Sequence, residues 1–223
     1  MASSPAQTGG GSFAVKDCAL ISIATGKRAF VLKELKDTLQ EIGPDSVYYH
    51  FWGSLLEPRF EEREYNNDFA AWARHDLHHD GLAERLAVID PTELEDLEAL
   101  RQELVEVMEE VLDTDASVHW VRAERPFDFI RSQIVVFDTH RRVDRPEELP
   151  EMLTRISPSS VFYHFIDARR RLPDHDDDFS QWLAGFGPVH DPLRERFDAI
   201  DPYFGSLMEL RDELTQIVSD YFR

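Results

Sequence analysis

The feature that most constrains this chain is an internal duplication. Ile42-Gly-Pro-Asp-Ser-Val-Tyr-Tyr-His-Phe51 returns as Ile156-Ser-Pro-Ser-Ser-Val-Phe-Tyr-His-Phe165, a shift of 156 − 42 = 114 positions. Asp68-Phe-Ala-Ala-Trp72 returns as Asp178-Phe-Ser-Gln-Trp182, and Leu82-Ala-Glu-Arg-Leu86 as Leu193-Arg-Glu-Arg-Phe197. A duplicated unit carries its own control, because what the fold needs should stand in both copies.

Each copy opens on a strand-like run, Phe13 to Ala24 and Phe127 to Asp138, rich in alternating apolar and β-branched residues. Thr25-Gly-Lys-Arg28 and Thr139-His-Arg-Arg142 then read as turns. Beyond them the period is helical: Leu32, Leu35, Leu39 and Ile42 in one copy, Leu149, Leu153 and Ile156 in the other. Pro44 and Pro158 suit first helical turns. Asp68 and Asp178 read as helix N-caps, as do Asp80 and Asp191. Asp90-Pro-Thr-Glu93 resembles a capping box leading into a long helix that ends near Asp113, with a counterpart from Pro202 to Tyr221.

One strand per copy cannot form a sheet, so the strands must pair across the halves or with a short further strand. The predicted fold is therefore α+β, predominantly α. It has two homologous repeats, each a strand followed by about four helices, related by a pseudo-two-fold axis. The predicted boundaries are a flexible tail over 1–12, repeat 1 over 13–113, a connector over 114–126 and repeat 2 over 127–223. Val118, Trp120 and Val121 make the connector a packed one.

Composition narrows the function classes. There are 44 Asp+Glu against 24 Lys+Arg, a net charge of −20, which disfavours nucleic acid and anionic membranes. The basic residues are four Lys and twenty Arg. Such acidity suits a salt-rich cytoplasm as well as it suits an ordinary acidic cytosolic protein. The single Cys18 excludes an internal disulfide and reads as a buried thiol. No apolar run reaches the length of a membrane span. The first twelve residues carry no signal-peptide pattern, and the chain reads as cytoplasmic.

Candidate sites sort by whether both copies carry them. Tyr49-His50 and Tyr163-His164 are matched; a His beside a Tyr can serve as an acid–base pair, or the ring can be a core histidine bonded to a carboxylate. Trp72 and Trp182 are matched aromatics beside them. Lys27-Arg28 pairs with Arg141-Arg142, a basic position that an anion could use. His75 and His79 share a helix face and, with His78, could hold a metal, yet only His79 has a partner, His190. Asp174-His-Asp-Asp-Asp178 lacks the Gly and Glu of a calcium loop and reads as a solvated acidic loop. Arg169-Arg-Arg171 stands in one copy only and reads as a surface loop. No nucleophile, phosphate-loop or dinucleotide motif is present, and none implies a cofactor.

The order of aromatic strand, Leu-rich helix, Tyr48-Tyr-His-Phe51, Asn67-Asp-Phe-Ala-Ala-Trp72 and Leu82-Ala-Glu-Arg-Leu86 resembles a bacterial and archaeal family of unknown function. That family is built on this module, here in tandem. The second copy departs at Asp177 and at Leu193 to Phe197. The resemblance implies no activity or cofactor. The expected function is a non-catalytic binding or regulatory module, as monomer or homodimer, for a protein or small polar ligand. His50, His164, Trp72, Trp182, Lys27, Arg28, Arg141 and Arg142 are its candidate ligand-binding residues. The alternatives are an enzyme using the His/Tyr pair, or a metal protein.

Overall fold

The computed structural model describes residues 11–56, 64–91, 94–172, 175–202 and 205–223. The fold is α+β and mostly helical, around one two-stranded sheet of β1 (Phe13–Ala29) and β2 (Phe127–Val143). Two side-chain bonds fix the register. Thr25 donates to the Phe129 carbonyl at 2.6 Å, and Thr139 to the Val15 carbonyl at 2.6 Å. Partner numbers rise on β2 as they fall on β1, so the strands are antiparallel. The sheet arises from pairing between the two sequence halves.

The supposed turns at Thr25 and Thr139 are not turns, because both strands run on past them. Gly26 and His140 take left-handed backbone there, at φ 76° and 62°. Each threonine hydroxyl also accepts from the N–H two residues on, Lys27 at 3.1 Å and Arg141 at 3.3 Å. Each strand thus carries one left-handed residue without reversing direction.

The described residues form two compact units. The central unit is Leu20–Ile134; the C-terminal unit joins residues up to Ala19 with Val135–Arg223. Each strand is thus divided: Phe13 to Ala19 belong with the helices of the second copy, Phe127 to Ile134 with those of the first. Alternation explains their anchoring: Phe13 and Val15 share one face of their strand segment, as Phe127 and Phe129 do of theirs, and all four are buried.

In the central unit α1 (Leu32–Glu41) buries Leu32, Leu35 and Leu39, spaced for one helix face. Next come α2 (Pro44–Trp52), α3 (Asp68–His75), α4 (Asp80–Ala87) and α5 (Leu97–Thr114). Asp96 caps α5, accepting from the Glu98 and Ala99 N–H groups at 2.8 Å. The helix therefore starts later than the Asp90 box implied; Thr92 and Glu93 of that box lie outside the described residues. In the segment 114–126 Val118 is buried, while Trp120 is 88% exposed.

The C-terminal unit holds α6 (Leu149–Leu153), α7 (Pro158–Val161), a π-helical turn (Phe162–Asp167), α8 (Ala168–Arg171), α9 (Asp178–Ala184), α10 (Asp191–Asp198) and α11 (Leu207–Tyr221). A capping box of Ser206 and Glu209 starts α11, five residues beyond Pro202. The arginine run is helix α8 rather than a surface loop. Arg171 there bonds the Tyr163 carbonyl, Asp167 and Asp178 at 2.9, 2.7 and 3.0 Å. None of the described helices is long and apolar enough to cross a membrane.

Candidate functional site

The caps of α3 and α9 are not the residues that the motif suggested. Asn67 caps α3, accepting from Ala70 N–H at 2.9 Å. Asp177 caps α9, accepting from Phe179 and Ser180 N–H at 2.8 and 2.9 Å. Asp68 and Asp178 are first-turn residues, and that shift of one position frees them for another task. Asp68 Oδ2 lies 2.9 Å from His50 Nδ1, and Asp178 Oδ2 lies 2.7 Å from His164 Nδ1.

The far nitrogen of each ring is also engaged. The Ile130 backbone N–H donates to His50 Nε2 at 3.1 Å, and the Lys16 backbone N–H donates to His164 Nε2 at 2.8 Å. An amide N–H can only donate, so Nε2 presents its lone pair and Nδ1 carries the proton. Each histidine is a neutral bracket between a helix-start carboxylate and a strand backbone. Both rings are buried, at 3% and 2% exposure. A His–Asp pair resembles two members of a catalytic triad, but a backbone amide stands where the nucleophile would be.

The indoles complete the grip. Trp72 Nε1 donates to the Arg125 carbonyl at 2.9 Å, and Trp182 Nε1 to the Gly11 carbonyl at 2.7 Å. Between indole and imidazole lies the strand's first Phe. Phe13 sits 4.9 Å from the His164 ring, 5.2 Å from Phe179 and 5.5 Å from Trp182. Phe127 sits 4.6 Å from His50, 5.0 Å from Phe69 and 6.0 Å from Trp72. Burying such a side chain stabilises by about 2–3 kcal/mol.

The two sites match position for position. Counting from Phe13 or Phe127, the carbonyl two residues earlier takes the indole N–H. The carbonyl two residues later takes the threonine hydroxyl, and the N–H three residues later goes to the histidine. The motifs that recur in the sequence are thus the parts of a clamp on an extended strand.

The matched tyrosines flank this clamp. Tyr49 and Tyr163 meet their neighbouring histidines edge-on, at 5.2 and 5.0 Å between centroids. Burial pushes the Tyr163 hydroxyl up, against the opposing pull of Arg171, whose guanidinium lies 4.1 Å from its ring centre. Lys27 pairs with Glu41 at 3.2 Å, Arg28 with Asp128 at 2.6 Å and Arg142 with Asp138 at 2.8 Å, while Arg141 donates to the Arg155 carbonyl at 2.8 Å. The basic positions are therefore already engaged with groups of the protein.

His75, His78 and His79 turn to three separate carboxylates: Glu64 at 3.0 Å, Glu124 at 2.9 Å and Asp115 at 3.5 Å. His79 also caps α4, its Nδ1 accepting from Leu82 N–H at 3.0 Å, the role that Asp80 was expected to fill. Among the described residues no cluster of three or more His, Cys, Asp or Glu is placed to hold a metal. Cys18 is buried, donates to the Ser159 carbonyl at 3.3 Å, and has its thiol pushed up to about 12, first by burial and then by Asp167 and Asp17.

The acidic loop is not simply solvated. Asp177 is fully buried, and burial pushes its carboxyl up to about 7. Asp178 is held below its ordinary range: burial would raise it, but bonding to His164 and the charge of Arg171 outweigh that. Asp174 lies outside the described residues. Sequence reasoning missed the functions of Asp68, Asp178, Thr25 and Thr139, although all four stand at matched places in both copies.

These features define a mostly helical α+β protein whose repeated polar residues hold the two strands of its sheet. The chain belongs to a family of unknown function, DUF5752, which it matches over residues 10–219. It is similar to the solved structure of OrfY from Thermoproteus tenax, with a TM-score of 0.80 and 25% identity over 97% of each chain. No functionally curated protein matches it.

Proposed function

We propose that this chain is a non-catalytic binding or regulatory protein, made of two tandem copies of one module and working in the cytoplasm. The observation that carries this reading is the closure of both matched histidines. An acid–base role needs a ring nitrogen open to substrate, and all four are bonded to the protein's own Asp carboxylates and strand amides.

Exposed apolar surface supports binding. Val135 and Phe137 alternate onto one face of β2 at 40% and 47% exposure, and exposed apolar side chains of this size are a feature of interaction surfaces. The net charge of −20 favours a protein or a small polar ligand over nucleic acid or an anionic membrane. Affinity capture of the tagged chain from its native cells, across a range of salt, tests the reading. A stoichiometric protein or small ligand should co-purify, and recovery of neither overturns it.

A further inference from the structure

The clamp of the C-terminal unit has the architecture of a peptide-binding site with its peptide in place. Its walls are the 135–143 part of β2, the π-helical turn and α9. Its occupant, residues 11–18, comes from far away in sequence, so that Lys16 and His164 are 148 positions apart. The matched clamp of the central unit holds Arg125-Pro-Phe-Asp-Phe-Ile130 in the same way, by Trp72, Thr25 and His50.

The two occupants differ at most positions. Gly11-Ser-Phe-Ala-Val-Lys16 and Arg125-Pro-Phe-Asp-Phe-Ile130 share only a Phe and an apolar residue two places on. What the clamps read is therefore backbone at three positions and two apolar side chains on one face. That is how strand addition works elsewhere: main-chain bonds supply affinity, and alternate side-chain pockets supply selectivity.

We propose that the C-terminal unit's clamp is a recognition site for an extended segment of another protein with the pattern Phe-x-Val or Phe-x-Phe, and that Phe13–Cys18 is its resident, displaceable occupant. The inference rests on the binding-module reading and names the chemistry of the partner. Further side-chain bonds tune the resident's fit: Ser157 Oγ donates to Asp17 Oδ2 at 2.8 Å, and Cys18 Sγ to the Ser159 carbonyl. The resident is continuous with the rest of β1, so an incoming peptide competes with a segment of the same chain and does so poorly until the resident is weakened.

The test uses the full chain and a fluorescent peptide of residues 11–19, with fluorescence anisotropy as the readout. Phe13→Ala weakens the resident, and Val15→Ala does so more mildly should the first variant fold poorly; circular dichroism confirms folding. The peptide should bind the weakened chain at least about tenfold more tightly than the wild-type chain. A peptide with its own Phe13 replaced by Ala should lose that binding, and Trp182→Phe in the weakened chain should reduce it. No binding to a folded Phe13→Ala chain overturns the proposal, as does equal binding of the Ala peptide. So does sedimentation showing that the weakened chain pairs with the wild-type chain while excluding the peptide, because the occupant would then be a second copy. Failure here leaves the binding-module reading standing, since affinity capture reads every surface of the chain.

Discussion

His164 Nε2 accepts the backbone N–H of Lys16 at 2.8 Å, and that bond joins the strand of the first sequence copy to a helix of the second. Its ring also holds Asp178 through Nδ1. Replacing His164 by Ala removes both bonds, strands a strand amide and opens a cavity beside Phe13. The expected loss is about 3–5 kcal/mol, read by urea denaturation. A loss under about 1 kcal/mol would show that the bracket does not hold the strand.

Asp177 sets a pH dependence that its counterpart Asn67 cannot have. Burial raises its carboxyl to about 7 from the ordinary 3.8, despite the opposing bonds from Ser180. Between those values the unfolded chain has released the proton while the folded chain retains it. The stability that Asp177 contributes is therefore fully present below about 4 and is lost as pH rises through about 7. Asp177→Asn should abolish this component. Melting temperatures of variant and wild type should diverge between pH 4 and 7 in the variant's favour, and then run parallel.

Gly26 and His140 occupy matched left-handed positions, one with a glycine and one without. A Cβ at Gly26 would meet nothing within 4 Å, so any cost of Gly26→Ala is conformational. That cost should be about 1–2 kcal/mol by thermal denaturation. Gly26→Asn should cost less, because Asn tolerates this backbone.

Trp72→Phe and Trp182→Phe keep the apolar ring but remove the donor to Arg125 and Gly11. Each should cost about 1 kcal/mol, the worth of one net hydrogen bond. Hydrogen exchange should then quicken at Ile130 for the first and at Lys16 for the second. Protection lost at both amides in either variant would contradict two separate clamps.

The charge of −20 should make stability depend on salt. Screening shortens the reach of self-repulsion from about 10 Å at 0.1 M to about 3 Å at 1 M. Melting temperature should rise over that range of potassium chloride. A flat response would count against adaptation to a salt-rich cytoplasm.

Much of the scaffold was legible because it follows local rules. Leu32, Leu35 and Leu39 announce a helix by spacing alone, and Phe13 and Val15 a strand by alternation. The break at Thr25 misled, because a Gly followed by two charged residues reads as a turn, whereas here the strand runs on through a left-handed Gly26. Asp68 and Asp178 misled similarly: an Asp before Phe-x-x-Trp satisfies the cap pattern, and only the observed helix start shows that Asn67 and Asp177 cap instead. Of the candidate site, the duplication picked out the histidines and tryptophans but said nothing of what they hold.

The sequence by itself determined the helical and extended segments, the exclusion of a disulfide, the acidic character and the pairing of motifs between copies. These depend on composition and short-range periodicity, which a single chain displays. Only the tertiary structure decided that Phe13 packs against Trp182 and Phe127 against Trp72. Contacts between residues 50 to 170 positions apart leave no local signature, because any strand of suitable alternation could fill either cleft. That freedom hid the clamp from the sequence, and the same freedom lets one cleft design hold two different strands.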